Sequence, residues 1–252
     1  MSDQRFTTKT EQAYWTLRKA IVTGEFGDWA PLDEVELMSR IDVGRTPIRE
    51  AIKQLASEEF VVWHPHRTPH VRTTSADDLA SLYEARQIFE VTAARLAAQR
   101  ATPADIEAME RISDQVDVAI SNDKLYEVAE LDYDFHLALA SASHNRFLVD
   151  SISHLNFSSL RLWYRSYVRL GIDTINDHHH EQLAAISHGD ADLAVAITQA
   201  HIEFSHERQL RLFGLKAGAA AEPEIRPAPA PKPRAAPARR QAKAKAKAKV
   251  RS

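Results

Sequence analysis

In the stretch ELDYDFHLALASASHN, Asp132 and His136 stand four residues apart, a spacing that sets one side chain above the other on a helix face. A carboxylate and an imidazole so placed serve either as a metal-ligand pair or as a surface salt bridge. The later histidines favour the first use. Of the consecutive His178, His179 and His180, only His179 is in phase with Leu183 and Ile186 at i+4 and i+7, so it is expected to point inward. His201 is likewise in phase with Ala194, Ile197 and Phe204. Three inward histidines and one aspartate on three helices are better explained as one site than as separate core accidents. Three imidazoles and one carboxylate without a thiolate suit Zn²⁺ or Ni²⁺, with Mn²⁺ or Fe²⁺ as alternatives. A six-coordinate ion would keep two positions for water or for an effector carboxylate. His144, His178, His180 and His206 are expected on exposed helix surface.

A second group of residues lies in IDVGRTPIREAIKQL. Ile48, Ala51, Ile52 and Leu55 mark a helix with one buried stripe, and Gly44 followed by Pro47 marks its start. Arg45, Arg49 and Lys53 recur every fourth residue beside that stripe. Such a face is solvated, or it meets something anionic. Arg86, Arg161 and Arg165 form a looser set, able to pair with an anionic effector or with the Glu and Asp of neighbouring helices. Trp163, Tyr164 and Tyr167 read as packing.

The elements that must position these residues follow from periodicity and punctuation. Tyr14, Leu17 and Ile21 place a helix over 10–23, and Asp33 with Glu36 starts a second carrying Val35, Met38 and Ile41. After the RTPIREA helix, FVVW (60–63) reads as a strand, HPHRTP (64–69) as a turn and HVR (70–72) as a returning strand. Three helices and a hairpin make a winged helix-turn-helix, in which the start of the second motif helix meets base edges. Arg45, Thr46 and Arg49 occupy those positions, where Arg can bond guanine O6 and N7 and Lys53 suits a phosphate. Charge alone does not decide this, since residues 1–75 hold ten cations and eleven anions.

Thr73-Thr74-Ser75 reads as a linker whose Ser75 caps a long helix with Leu79, Leu82, Ile88 and Val91 as apolar positions. From there to Leu215 the pattern is helical, with breaks at Thr102-Pro103, Ser121-Asn122, His144-Asn145, 171–176 and Gly189-Asp190, giving about six helices in a bundle. The end of the chain, PAPAPKPRAAPARRQAKAKAKAKVRS, is too poor in bulky apolar residues to bury a core and is expected to be disordered. The fold class is therefore mainly α: a winged helix-turn-helix over 1–74, an all-helical bundle over 75–215 and a basic tail over 216–252.

At 252 residues the chain suffices for two ordinary domains. Cysteine is absent, which excludes disulfides, thiolate metal sites and cysteine nucleophiles. The opening MSDQRFTTKTEQAYW is too polar for a signal peptide, and no apolar run approaches the roughly 18 residues of a membrane span. A cytoplasmic, nucleoid-associated protein is expected. The net charge of −3 conceals an asymmetry, because residues 217–252 carry ten Lys/Arg and two Glu while the rest is acidic.

TLRKAIVTGEF, followed by ELMSRIDVGRTPIREAIKQLASEEFVVWHPHRTPHV, resembles the N-terminal winged helix of GntR-family transcriptional regulators. DDLASLYEARQIFEVTAARLAA (77–98) resembles the opening of the all-helical FCD effector domain of the FadR subgroup. The resemblance spans about 10–213. It implies DNA contacts at Arg40, Arg45, Thr46 and Arg49, and a wing tip, His66, Arg67 and Thr68, in the minor groove. Gly44 stands where the family usually has Ser or Thr, and no Gly follows the wing Arg. The resemblance also places a metal on Asp132, His136, His179 and His201. A metabolite-responsive regulator is the expected function, with a repressor's mode of action, a homodimer on a palindromic operator and a small organic acid as effector. Two other functions compete: a metal-dependent hydrolase, for which no general base stands in a recognisable motif, and a non-specific nucleoid-type DNA binder driven by the tail.

Overall fold

A computed structural model describes residues 6–172 and 175–215. Its first unit contains α1 (Lys9–Val22), α2 (Glu34–Ile41), α3 (Arg45–Ser57) and the short strands β1 (Val61–Val62) and β2 (His70–Val71). Each start has a local cause. Thr8 and Glu11 form a capping box on α1, and the Asp33 carboxylate takes the amides of Val35 and Glu36 at α2. At α3, Gly44 supplies the extended backbone without a side-chain cap. The strands pair antiparallel with Val61 opposite Val71 and Val62 opposite His70. The turn between them has its left-handed residue at His66, with φ 60°. The chain thus turns the wing one residue before Arg67, without glycine, and His is among the types that tolerate this conformation.

Six helices follow among the described residues: α4 (Ala76–Arg100), α5 (Pro103–Ser121), α6 (Leu125–Ala142), α7 (Arg146–Leu170), α8 (Ile175–Ser187) and α9 (Ala191–Leu212). Every break read from the sequence separates two of them. Ser75 caps α4 through a capping box with Asp78, and Thr102 does the same for α5 with Asp105, ahead of Pro103. None of the described helices is long and apolar enough to cross a membrane.

The stripe assigned to α4 needs correction. Ile88 is 61% exposed, and the buried face runs instead through Leu79, Tyr83, Arg86, Glu90, Ala93, Ala94 and Ala97. Small residues let α9 and α6 pack closely on this face, and its two charged residues face inward with them.

The winged-helix unit is mounted on the bundle through α6 and α7. One apolar cluster runs from Leu17, Ile48 and Leu55 to Val128, Leu160 and Trp163. At its edge the Arg18 guanidinium is buried, ion-paired with Glu130 of α6 and within 5.0 to 5.9 Å of the Trp15, Phe60, Tyr133 and Phe157 rings. Arg161 of α7 donates to the Phe26 carbonyl at 3.1 Å and pairs with Asp28 at 2.8 Å.

Candidate functional site

Helix α3 and the wing face each other across an open cleft of about 860 Å³. Arg45, Arg49 and Lys53 line one wall, and His66, Arg67 and Thr68 line the other. Thr46 is exposed on the first turn of α3. Arg40 lies at the end of α2, paired with Glu25 and 5.0 Å over the Phe26 ring. All eight residues expected to meet DNA therefore belong to this unit, six of them on one cleft. The cleft also contains an acid that the sequence reading passed over. Arg49 donates to Glu34 at 2.7 Å, Arg45 approaches the other Glu34 oxygen at 3.7 Å, and Lys53 pairs with Glu50 at 2.6 Å.

The second constellation is buried in the bundle. Helix α6 supplies Asp132 and His136, α8 supplies His179 and α9 supplies His201, all at most 3% exposed. Ligand atoms of His136, His179 and His201 lie within 4.8 Å of one another. His179 Nε2 is 3.1 Å and His136 Nε2 3.7 Å from Asp132 Oδ1, while His201 Nε2 is 3.3 Å from His136 Nε2. The chain thus brings together the four residues read as metal ligands.

Their electrostatics suit that use. Burial pushes the His179 and His201 imidazoles below their ordinary pKa, toward the neutral form that has a lone pair to give. Burial works against an ionised Asp132, but the His179 and His136 imidazoles and the Tyr167 hydroxyl outweigh it and hold the carboxyl below its usual value. Tyr167 donates to Asp132 Oδ2 at 2.7 Å. The other oxygen, Oδ1, faces His179 Nε2 at 3.1 Å, and neither atom has a hydrogen bond of good geometry. Buried polar atoms are rarely left so, and convergent ones fit a missing electrophile such as a cation.

Around this cluster stands a carboxylate relay. His136 Nδ1 is 3.1 Å from Glu90 Oε2, and Glu90 accepts from Arg86 Nε at 2.6 Å and Arg86 Nη2 at 3.3 Å. Burial opposes the Glu90 charge, yet Arg86 and His136 hold that carboxyl well below the ordinary range. A carboxylate on the far nitrogen of a ligating histidine orients the ring and raises its basicity.

Residues 9–71 match the family described as bacterial regulatory proteins, gntR family, and residues 81–204 match the FCD domain. The chain belongs to the GntR family, with an FCD effector domain. This GntR regulator is similar to the HTH-type transcriptional repressor RspR of Escherichia coli, 28% identical over 80% of this chain and 90% of that protein. It is also similar to the Nta operon transcriptional regulator of Aminobacter aminovorans, 27% identical over 72% of this chain and 85% of that one. A putative L-lactate dehydrogenase operon regulatory protein of E. coli is 29% identical over 71% of the chain and 77% of its own length. Among solved structures, E. coli McbR/YncC superposes with a TM-score of 0.69 at 19% identity, over 82% of this chain and all of that one. The relatives are transcriptional regulators, not enzymes.

Several placements in the GntR regulator differ from the sequence reading. Arg86 is fully buried and held by Glu90. Arg161 and Arg165 commit their charge to Asp28 of the DNA-reading unit, 2.8 and 3.6 Å away, rather than to the histidine cluster. His178 is only half-exposed, its ring 5.6 Å from that of His201, and His206 stacks on Tyr83 at 4.6 Å. His144 and His180 are exposed, paired with Asp105 and Asp117. Glu90 was missed, although an Arg and a Glu four residues apart on a stripe of Leu, Tyr and Ala signal a buried pair.

Proposed function

We propose that the FCD domain holds one divalent ion on Asp132, His136, His179 and His201, and that a small carboxylate metabolite completes its coordination and sets the affinity of the winged helix for DNA. The observation carrying this reading is the convergence of three buried imidazoles on the Asp132 carboxylate, with Asp132 Oδ1 and His179 Nε2 3.1 Å apart and neither satisfied by a well-formed hydrogen bond. A hard-to-borderline ligand set without sulfur suits Zn²⁺ or Ni²⁺, then Mn²⁺ or Fe²⁺. The ion supplies positive charge for the acid, and the protein's residues fix the ligands: Tyr167 holds Asp132, and Glu90 holds His136 under the Arg86 charge. A relative named for an L-lactate dehydrogenase operon, whose substrate is such an acid, agrees with this class of effector. Beside the cluster lies a cavity of about 10 Å³ bordered by Asp132, Tyr167, His201 and Arg208, so an acid would enter only with a local widening of the space between α6, α7 and α9.

Signal reaches DNA through α6. Glu130, which grips Arg18 of α1, lies two residues before Asp132, so a shift of the ligand moves the anchor of the DNA-reading unit. The DNA contacts we assign are Arg40, Arg45, Thr46, Arg49, Lys53, His66, Arg67 and Thr68, acting from a homodimer on a palindrome as a repressor. One winged helix reads a half-site, and two-fold symmetry supplies the other. We assign 1–74 to DNA binding and 75–215 to metal and effector binding. The expected tail lies outside the described residues, and we assign its ten Lys/Arg a salt-sensitive, sequence-independent contribution to DNA affinity.

The test is metal analysis of the purified chain joined to footprinting. About one ion per chain, a protected inverted repeat, and a carboxylate that alters the footprint only of metal-loaded protein are the expected results. A chelator-stripped chain with an unchanged response to the same acid would overturn the metal reading. Uniform coverage of DNA would overturn operator recognition.

A further inference from the structure

Glu34 is the anomaly of the DNA-reading cleft. It stands in the first turn of α2, where Asp33 already serves the free amides of Val35 and Glu36, so the Glu34 carboxylate has no capping role. It turns instead toward α3. There it is only 20% exposed and accepts from Arg49 at 2.7 Å while lying 3.7 Å from Arg45 Nε. On its other side Arg49 is 5.4 Å from the Trp63 ring, so the guanidinium is held between a carboxylate and an aromatic face. The two arginines remain 46% and 63% exposed, with N–H groups left over for a second partner.

We propose that Glu34 is a specificity-determining residue: it positions Arg49 and Arg45 for base edges and penalises contact with phosphates alone. This rests on the assignment of those arginines to base readout. The reasoning turns on sign. A carboxylate facing a polyanion is repulsive, so Glu34 weakens every complex in which the arginines merely neutralise phosphate. In a complex where Arg49 bonds guanine O6 and N7, the same carboxylate can remain on the inner edge of the guanidinium. Arg49 then loses little rotamer freedom on binding, because it is already fixed. Glu34 therefore costs affinity on arbitrary DNA and more than returns it on the correct sequence, where the pre-positioned guanidinium meets its base edge.

The experiment uses the full chain, one duplex selected by the wild type from a random library, and one random-sequence duplex. Glu34→Gln keeps size and hydrogen bonding while removing charge, and Glu36→Gln removes an exposed charge from the same helical turn. For Glu34→Gln, binding to the random duplex should tighten about threefold or more, its salt slope should steepen by roughly one, and the selected-to-random ratio should fall about tenfold. Glu36→Gln should leave that ratio within twofold. A ratio preserved in Glu34→Gln, or equal weakening on both duplexes together with a lowered melting temperature, would overturn the proposal. Arg49→Ala measured alongside separates the two levels. If it lowers the ratio while Glu34→Gln does not, only the role of Glu34 fails. If neither lowers it, base readout by Arg49 fails as well.

Discussion

Arg49–Glu34 in the DNA-reading cleft and Arg86–Glu90 in the bundle are chemically the same pair, 2.7 and 2.6 Å long. The first has side chains 46% and 20% exposed, and the second 0% and 3%. That difference in surroundings separates their uses. An exposed pair contributes about 0–1 kcal/mol, so its guanidinium is available to another anion at little cost. The buried pair has given up its hydration, so neither member can leave without stranding a charge. Arginine on the surface is free to act as the reader we propose, whereas arginine in the bundle is a fixture held by Glu90 beside His136.

The buried side of the comparison predicts the largest effect. Glu90→Ala should cost about 3–5 kcal/mol, since Arg86 remains as an uncompensated buried cation. Urea denaturation would measure it. The Glu90→Ala, Arg86→Met double variant should recover much of the loss, because apolar residues of similar volume often replace buried pairs well. Recovery of nothing would mean that Glu90 acts chiefly on His136 rather than on Arg86. A loss below about 1 kcal/mol would place the pair in water.

Next comes the ligand set. His179→Ala should abolish stoichiometric metal and remove the stabilisation that saturating ion gives, about 2.7 kcal/mol at a hundredfold excess over Kd. His180→Ala should retain the metal, because that ring is exposed and paired with Asp117 at 3.0 Å. Metal analysis with thermal melts in the presence and absence of chelator decides. Retention in His179→Ala with loss in His180→Ala would reverse the helix register. His178→Ala is more informative than phase alone implies, since its ring lies against His201 and Phe204. A partial loss of metal affinity is expected there.

These contrasts show what a chain discloses before it folds. Helix ends were legible because they are local: Ser75 with Asp78 and Thr102 with Asp105 are capping boxes written within four residues. His179 and His201 were legible because a helical period separates an inward from an outward position. The α4 stripe was misread for a physical reason. Ile88 is apolar but exposed, Leu82 and Val91 are only partly buried beside Leu79 and Tyr83, and the small Ala93, Ala94 and Ala97 that admit close packing carry little hydrophobic signal. Arg161 and Arg165 were assigned an effector because their partner, Asp28, lies over 130 residues away in the other unit. Tyr167 on Asp132 is similarly a product of tertiary contact, 35 residues apart.

On the exposed side, Arg49→Ala should cost roughly 1–3 kcal/mol of sequence discrimination, the amount typical of an arginine on a guanine edge. Competition binding between a selected and a random duplex measures it. Equal weakening on both would assign Arg49 to phosphate and would remove the distinction drawn between reader and fixture.

The smallest effect is expected at Lys53, in the third turn of α3 and the sharpest control on the proposed reading face. Lys53 shares the face of Arg45 and Arg49, but its ammonium is a strongly hydrated point charge without the planar fork that matches a base edge. Its partner Glu50 lies three residues earlier on the same helix, and both are about half exposed, 55% and 48%. The pair therefore contributes little to stability, and Lys53 can exchange Glu50 for a phosphate at small cost. Lys53→Ala should weaken binding to selected and random duplexes by the same modest factor, reduce the log K against log[salt] slope by about one, and leave the melting temperature unchanged. A selected-to-random ratio that falls as far as in Arg49→Ala would show that the reading face extends along α3 beyond its first turns, and that exposure rather than side-chain geometry sets which cations read bases.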